Sequence, residues 1–131
     1  MTTPSSAWGL GLCAPTKKRK PSTHLLERDV QKAIQDAFRL RHQIALVHAD
    51  PGNSRINGGG RFSSIPEGYP DLVGIVPPSG RFLAIEVKVP GKVPTELQLR
   101  MLAAMRGKGA IAFWASSVAE ALAQSEEQVA A

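Results

Sequence analysis

Asp71-Leu72-Val73-Gly74-Ile75-Val76-Pro77-Pro78-Ser79-Gly80-Arg81-Phe82-Leu83-Ala84-Ile85-Glu86-Val87-Lys88 reads as two β-rich runs joined by a tight turn. Both faces of the hairpin are apolar. Val73 and Ile75 lie on one face of the first run, Leu72 and Val76 on the other; Phe82 and Ala84 are set against Leu83, Ile85 and Val87 in the second. A sheet built from such strands must be covered on both sides. The charged residues Asp71, Glu86 and Lys88 therefore stand out, because they are embedded in runs that otherwise read as core. A two-residue turn at Pro78-Ser79, or a four-residue turn over 77–80, places Asp71 directly opposite Glu86, with Cβ atoms ~4.5 to 5.5 Å apart. A three-residue turn would shift the register and separate them. Two carboxylates that close repel and raise one another's pKa unless a cation lies between them, and an all-oxygen pair suits Mg²⁺ or Mn²⁺. Lys88 follows Glu86 by two residues and shares its face, within reach of an anion bound there.

Working outward, the chain has 131 residues, 43% hydrophobic and 21% charged, which fits one globular domain and excludes a disordered polyelectrolyte. There is no long apolar run and no signal-like N-terminus, so the expected location is the cytoplasm, of a bacterial or phage-type host. The single cysteine, Cys13, excludes disulfide scaffolds and thiolate metal clusters. The net charge of +5 suggests nucleic acid as a partner, yet four positive charges sit in one run, Lys17, Lys18, Arg19 and Lys20. The remainder is nearly neutral, with Arg39, Arg41, Arg55 and Arg61 gathered toward one side and Glu120, Glu126 and Glu127 at the C-terminal end.

Residues 1–22, rich in Pro, Ser and Thr, read as a flexible basic arm, and residues 23–131 as the folded domain. The recurrence of Leu26, Val30, Ala33, Ile34, Ala37 and Phe38 predicts a helix over 24–41. Ile44 to His48 predicts a strand, and residues 50–66 a long Gly-, Ser-, Asn- and Arg-rich substrate loop without structure of its own. After the hairpin, Thr95-Glu96-Leu97-Gln98 is a capping box that opens a helix closed by Gly107 or Gly109; Ile111 to Ala115 is the last strand. Ser117-Val118-Ala119-Glu120 reads as a second capping box starting a terminal helix.

Further candidates are less distinctive. Glu27 falls inside the apolar stripe of the first helix in projection, either seeking a partner elsewhere or simply favoured near a helix N-terminus. Gln98 is explained by the capping box alone and is also placed to serve a site. Asn53, Arg55 and Arg61, with the basic arm, are the candidate phosphate contacts. The triple glycine 58–60 lacks the Lys-Ser/Thr ending of a phosphate loop, and there is no nucleophile elbow.

Gly68-Tyr69-Pro70-Asp71, then Glu86-Val87-Lys88, then Gln98, with Glu27 in the first helix, resembles the VRR-NUC domain, a branch of the PD-(D/E)xK nuclease superfamily. The resemblance spans roughly residues 24–120; Tyr69 stands where family members commonly carry an aliphatic residue. It implies an α/β restriction endonuclease-like core, α-β-β-β-α-β with a C-terminal helix, the mixed sheet flanked by helices. By this resemblance Asp71, Glu86 and the backbone carbonyl of Val87 hold Mg²⁺ or Mn²⁺, Lys88 positions and activates water, Glu27 assists at the metal, and Gln98 orients the lysine or the substrate. The implied activity is endonucleolytic hydrolysis of DNA phosphodiesters by a homodimer, on branched DNA such as a Holliday junction. A less structure-selective nuclease and a non-catalytic DNA-binding module on the same fold are the alternatives.

Overall fold

The computed structural model describes residues 23–49, 54–55, 61–62 and 65–131. In chain order its elements are α1 (Thr23–His42), β1 (Val47–His48), β2 (Ser54–Arg55), β3 (Arg61–Phe62), β4 (Leu72–Val76), β5 (Arg81–Val87), α2 (Glu96–Gly107), β6 (Ile111–Ala115) and α3 (Val118–Ala130). The hairpin forms as expected. Val76 pairs with Arg81 and Leu72 with Ile85, and Gly80 N–H donates to the Val76 carbonyl at 2.8 Å, so the turn is the four-residue one. The sheet runs in the order β1-β4-β5-β6. Its first three strands are antiparallel and β6 is parallel to β5, with α2 as the crossover that a parallel pair requires.

Alternation along β4, β5 and β6 sorts their side chains into two layers. Leu72, Leu83, Ile85, Val87, Ile111 and Phe113 pack beneath Ile34 and Phe38 of α1 and Ala121 and Leu122 of α3. On the opposite face Ala84 and Ala112 present little bulk, which lets α2 settle close with Leu102 buried between half-buried Val73, Phe82, Met105 and Trp114. Asp71 and Glu86 belong to this second face, at the end where α2 begins.

Three expectations are corrected. The strand predicted over Ile44 to His48 is confined to Val47–His48. Ile44 N–H donates to the Phe38 carbonyl at 3.2 Å, and the Leu46 carbonyl accepts from Gln35 Nε2 at 3.0 Å, so these main-chain groups are spent on α1 rather than on β4. The segment can run there because it crosses Gly74, where a β-carbon would stand 3.0 Å from the Ala45 carbonyl oxygen. The loop 50–66 is not wholly irregular, since β2 and β3 pair as a two-stranded ribbon with Ser54 opposite Phe62. The box at Ser117 is only half made: Ser117 Oγ accepts from Glu120 N–H, but Glu120 Oε2 accepts from Ser116 rather than from the cap residue. The basic arm and Asn53 lie outside the described residues.

The outer edge of β6 would be an invitation to further strand pairing. It is closed by side chains of the helices beside it. Gln128 Oε1 accepts from Ala112 N–H at 3.0 Å and its Nε2 donates to the Ala112 carbonyl at 3.1 Å, while Gln124 Nε2 donates to the Trp114 carbonyl at 3.0 Å. Among the described residues no helix is long and apolar enough to cross a membrane.

Candidate active site

The site follows from the register of β4 and β5. With Leu72 opposite Ile85, the next pair outward is Asp71 and Glu86, and the next after that is Pro70 and Val87. Proline has no N–H to give, so β4 offers no main-chain donor to the Val87 carbonyl at that register. Val87 N–H donates to Asp71 Oδ2 at 2.9 Å. Glu86, only 2% exposed, is the one acidic residue in the buried core among the described residues. Its Oε1 accepts from Gln98 Nε2 at 2.8 Å and stands 3.3 Å from Lys88 Nζ. Its Oε2 is buried and receives no hydrogen bond from any described donor.

Gln98 caps α2 and also reaches Glu86. The capping box is complete: Gln98 N–H donates to Thr95 Oγ1 at 3.2 Å, and Thr95 N–H donates to Gln98 Oε1 at 2.9 Å. Because Thr95 N–H can only donate, the amide atom facing it is the oxygen, and the nitrogen is what turns toward Glu86. A glutamate at this position would satisfy the cap equally well and could not make the second contact while ionised. The amide, unlike an ionised acid, lets one side chain serve both contacts.

The electrostatics are those of two acids forced together. Burial pushes the Asp71 carboxyl above its ordinary range, partly offset by Val87 N–H and by the charge of Lys88. Burial, and then the negative charge of Asp71, push Glu86 up to about 8, with Lys88 pulling the other way. Burial and mutual repulsion both favour the state in which one of the two keeps a proton. The residues fit a divalent cation. Replacing that proton by the cation would relieve the repulsion and give the orphaned Glu86 Oε2 a partner, and the donor set is all oxygen.

The structure therefore brings together Asp71, Glu86, Val87, Lys88 and Gln98. It does not add Glu27 to the carboxylate pair: Glu27 is half-buried on α1, and no group of three or more His, Cys, Asp or Glu side chains able to hold a metal occurs among the described residues. Arg55 and Arg61 are register partners in the β2–β3 ribbon. Two further residues adjoin the site. His48 ends β1 close enough for its charge to bear on Asp71, next to Ala49, whose N–H donates to the Asp71 carbonyl at 2.9 Å. Gly68, with φ +85, packs against Leu97 in the first turn of α2; a glycine two residues before a proline was the available signal.

Three helices and a four-stranded mixed sheet among the described residues, with this acidic pair on the central hairpin, define a restriction endonuclease-like α/β fold. Residues 27–119 match the model of the VRR-NUC domain, and the chain belongs to that family of nuclease domains. A solved structure described as a VRR_NUC domain is similar at 25% identity and a TM-score of 0.51, covering 80% of this chain and 95% of that one. No curated protein matches the sequence at a significant level.

Proposed function

We propose that this chain is a metal-dependent endodeoxyribonuclease that cuts branched DNA, of the Holliday junction type, as a homodimer. The observation that carries the hydrolytic reading is the orphaned Oε2 of buried Glu86, on a carboxyl paired with Asp71 and beside Lys88. A protein that only held DNA would gain nothing from two facing acids close to phosphate, since they repel the ligand and strain the fold. A divalent cation, Mg²⁺ or Mn²⁺, held by Asp71, Glu86 and the Val87 carbonyl would supply Lewis acidity at the scissile phosphate and acidify the attacking water. Glu27 would serve that site through water or complete a second one.

The chain's own groups account for the rest. Lys88 orients the attacking water and offsets the negative charge that grows on the phosphate oxygens. Gln98 holds the Glu86 carboxylate in one rotamer. Water oxygen bonds to phosphorus as the bond from phosphorus to the 3′ oxygen breaks, leaving 5′-phosphate and 3′-hydroxyl ends. Two-fold symmetry would place one site on each of two strands, which a junction requires. Residues 1–22 act as a basic arm ahead of a nuclease domain over 23–131, and Lys17, Lys18, Arg19, Lys20, Asn53, Arg55 and Arg61 contact phosphates.

The test is cleavage of a labelled four-way junction, a flap and plain duplex in Mg²⁺, Mn²⁺ or EDTA. The expected result is paired, symmetric incision of the junction in either metal, at least about tenfold faster than duplex, and none in EDTA. Equal cutting of all three substrates would favour the less structure-selective nuclease; binding without incision in every metal would favour the non-catalytic module. Deleting residues 1–20 is expected to weaken junction binding and flatten its dependence on salt, by up to about four phosphate contacts. A salt slope identical to that of the full chain would make the arm a bystander.

A further inference from the structure

Gly68 lies three residues before Asp71 with φ +85, in the left-handed region that side-chain-bearing residues rarely adopt. Torsion is only half of the requirement. A methyl group on Gly68 would stand 2.8 Å from Leu97 Cγ, 3.3 Å from Leu97 Cδ2 and 3.3 Å from the Leu97 carbonyl oxygen. Leu97 Cγ is bonded to the β-carbon that the helix holds and moves only with a change of χ1 rotamer, which a helix restricts, and the carbonyl is part of the helix backbone. Leu97 adjoins Gln98, the residue whose amide holds Glu86 Oε1. On the other side, Tyr69 N–H donates to the Pro66 carbonyl at 3.2 Å, closing the turn that leads through buried Pro70 into Asp71. The turn that delivers Asp71 and the helix turn that delivers Gln98 thus touch at one point.

We propose that Gly68 is a positioning residue for the carboxylate pair, setting through its contact with Leu97 how closely the first turn of α2 approaches the turn before Asp71. This rests on the metal-dependent nuclease reading and adds to it a residue that touches neither metal nor substrate. Relaxing a 2.8 Å carbon contact to an ordinary separation requires a shift of about 1 Å. The bond from Gln98 to Glu86, at 2.8 Å, has only about 0.7 Å to spare before it ceases to be a hydrogen bond. A β-carbon at position 68 therefore acts at Glu86 without changing any polar group.

The experiment separates this role from that of an ordinary turn glycine. Asparagine tolerates the left-handed backbone yet carries a β-carbon, so Gly68→Asn spares the turn and breaks the close approach. Binding of Mn²⁺ to the full chain is measured by electron paramagnetic resonance of the free ion, with Tm recorded alongside. Gly68→Asn is expected to weaken Mn²⁺ binding about tenfold or more, and Leu97→Ala in that background to recover most of the loss. Should Gly68→Asn not fold, Leu97→Ala alone carries the test, with an expected weakening of about threefold as the turn loses its seat. Wild-type binding in Gly68→Asn, or in Leu97→Ala when it stands alone, overturns the inference, as does a double variant no better than Gly68→Asn. Asp71→Asn is the control: if it too binds Mn²⁺ normally, the metal reading itself has failed, whereas loss there with normal binding in Gly68→Asn defeats the positioning role alone.

Discussion

Glu86→Ala is expected to lower the single-turnover rate of DNA cleavage by about 10³-fold or more, roughly 4 kcal/mol of transition-state stabilisation, while leaving a folded protein. The size of the effect follows from the position of the side chain. Among the described residues Glu86 offers the one buried side-chain oxygen with no donor, on a carboxyl that Gln98 and Lys88 hold from its other oxygen. No neighbouring carboxylate among the described residues forms a third member of the group that could take its place. A companion variant, Glu86→Gln, tests the electrostatics without opening a cavity. Folded Glu86 keeps its proton up to about pH 8, whereas the unfolded residue loses it near 4.5. Its contribution to stability is therefore full below about pH 4.5 and is lost as pH rises through about 8; the raised Asp71 acts in the same direction. In EDTA, the Tm of the wild-type protein is expected to fall across that window and that of Glu86→Gln to fall less. With Mn²⁺ present the order reverses, because the cation takes the place of the proton, and apparent affinity climbs with pH until the pair is deprotonated. Cleavage by Glu86→Ala within tenfold of wild type would remove Glu86 from the site.

The parts of this site that were legible in the sequence are those fixed by short-range geometry. The facing of Asp71 and Glu86 depends on strand periodicity and the length of one turn, and both can be counted along the chain. The capping box is likewise local, spanning Thr95 to Gln98. What could not be read depends on segments meeting through space. Ile44 to Leu46 has β-type residues, and only the competition of α1 for its main-chain groups keeps it out of the ladder. Glu27 shares a helical stripe with Val30 and Ile34, yet a projection gives an angle and not a distance, and it is not grouped with the acidic pair. The seating of Leu97 on Gly68 joins residues from separate elements. The glycine announces a special backbone but not the neighbour that needs its missing side chain.

Lys88→Met is expected to lower the cleavage rate by about 10²- to 10³-fold, the usual cost of removing one preorganised charge from a developing oxyanion. Methionine keeps the length of the side chain and its apolar stem, and Lys88 is tied into the sheet by its main chain, its N–H donating to the Ala115 carbonyl at 3.0 Å. The fold should therefore be unaffected. With its side chain 16% exposed, Lys88 lies largely out of bulk water, where its charge is weakly screened, and its Nζ stands 3.3 Å from Glu86 Oε1. Its removal has a second consequence. Lys88 is what pulls Glu86 down against burial and the charge of Asp71, so without it the carboxyl is held protonated to still higher pH. Mn²⁺ binding in Lys88→Met should accordingly shift to higher pH with its limiting affinity little changed, while affinity for DNA, resting on many other phosphate contacts, drops by no more than a few-fold. Two separate readings follow from one substitution, a lost rate at saturating metal and a displaced pH profile for metal binding. A lysine serving only as a structural ion-pair partner of Glu86 would move the profile and leave the rate at saturating Mn²⁺ within about tenfold of wild type.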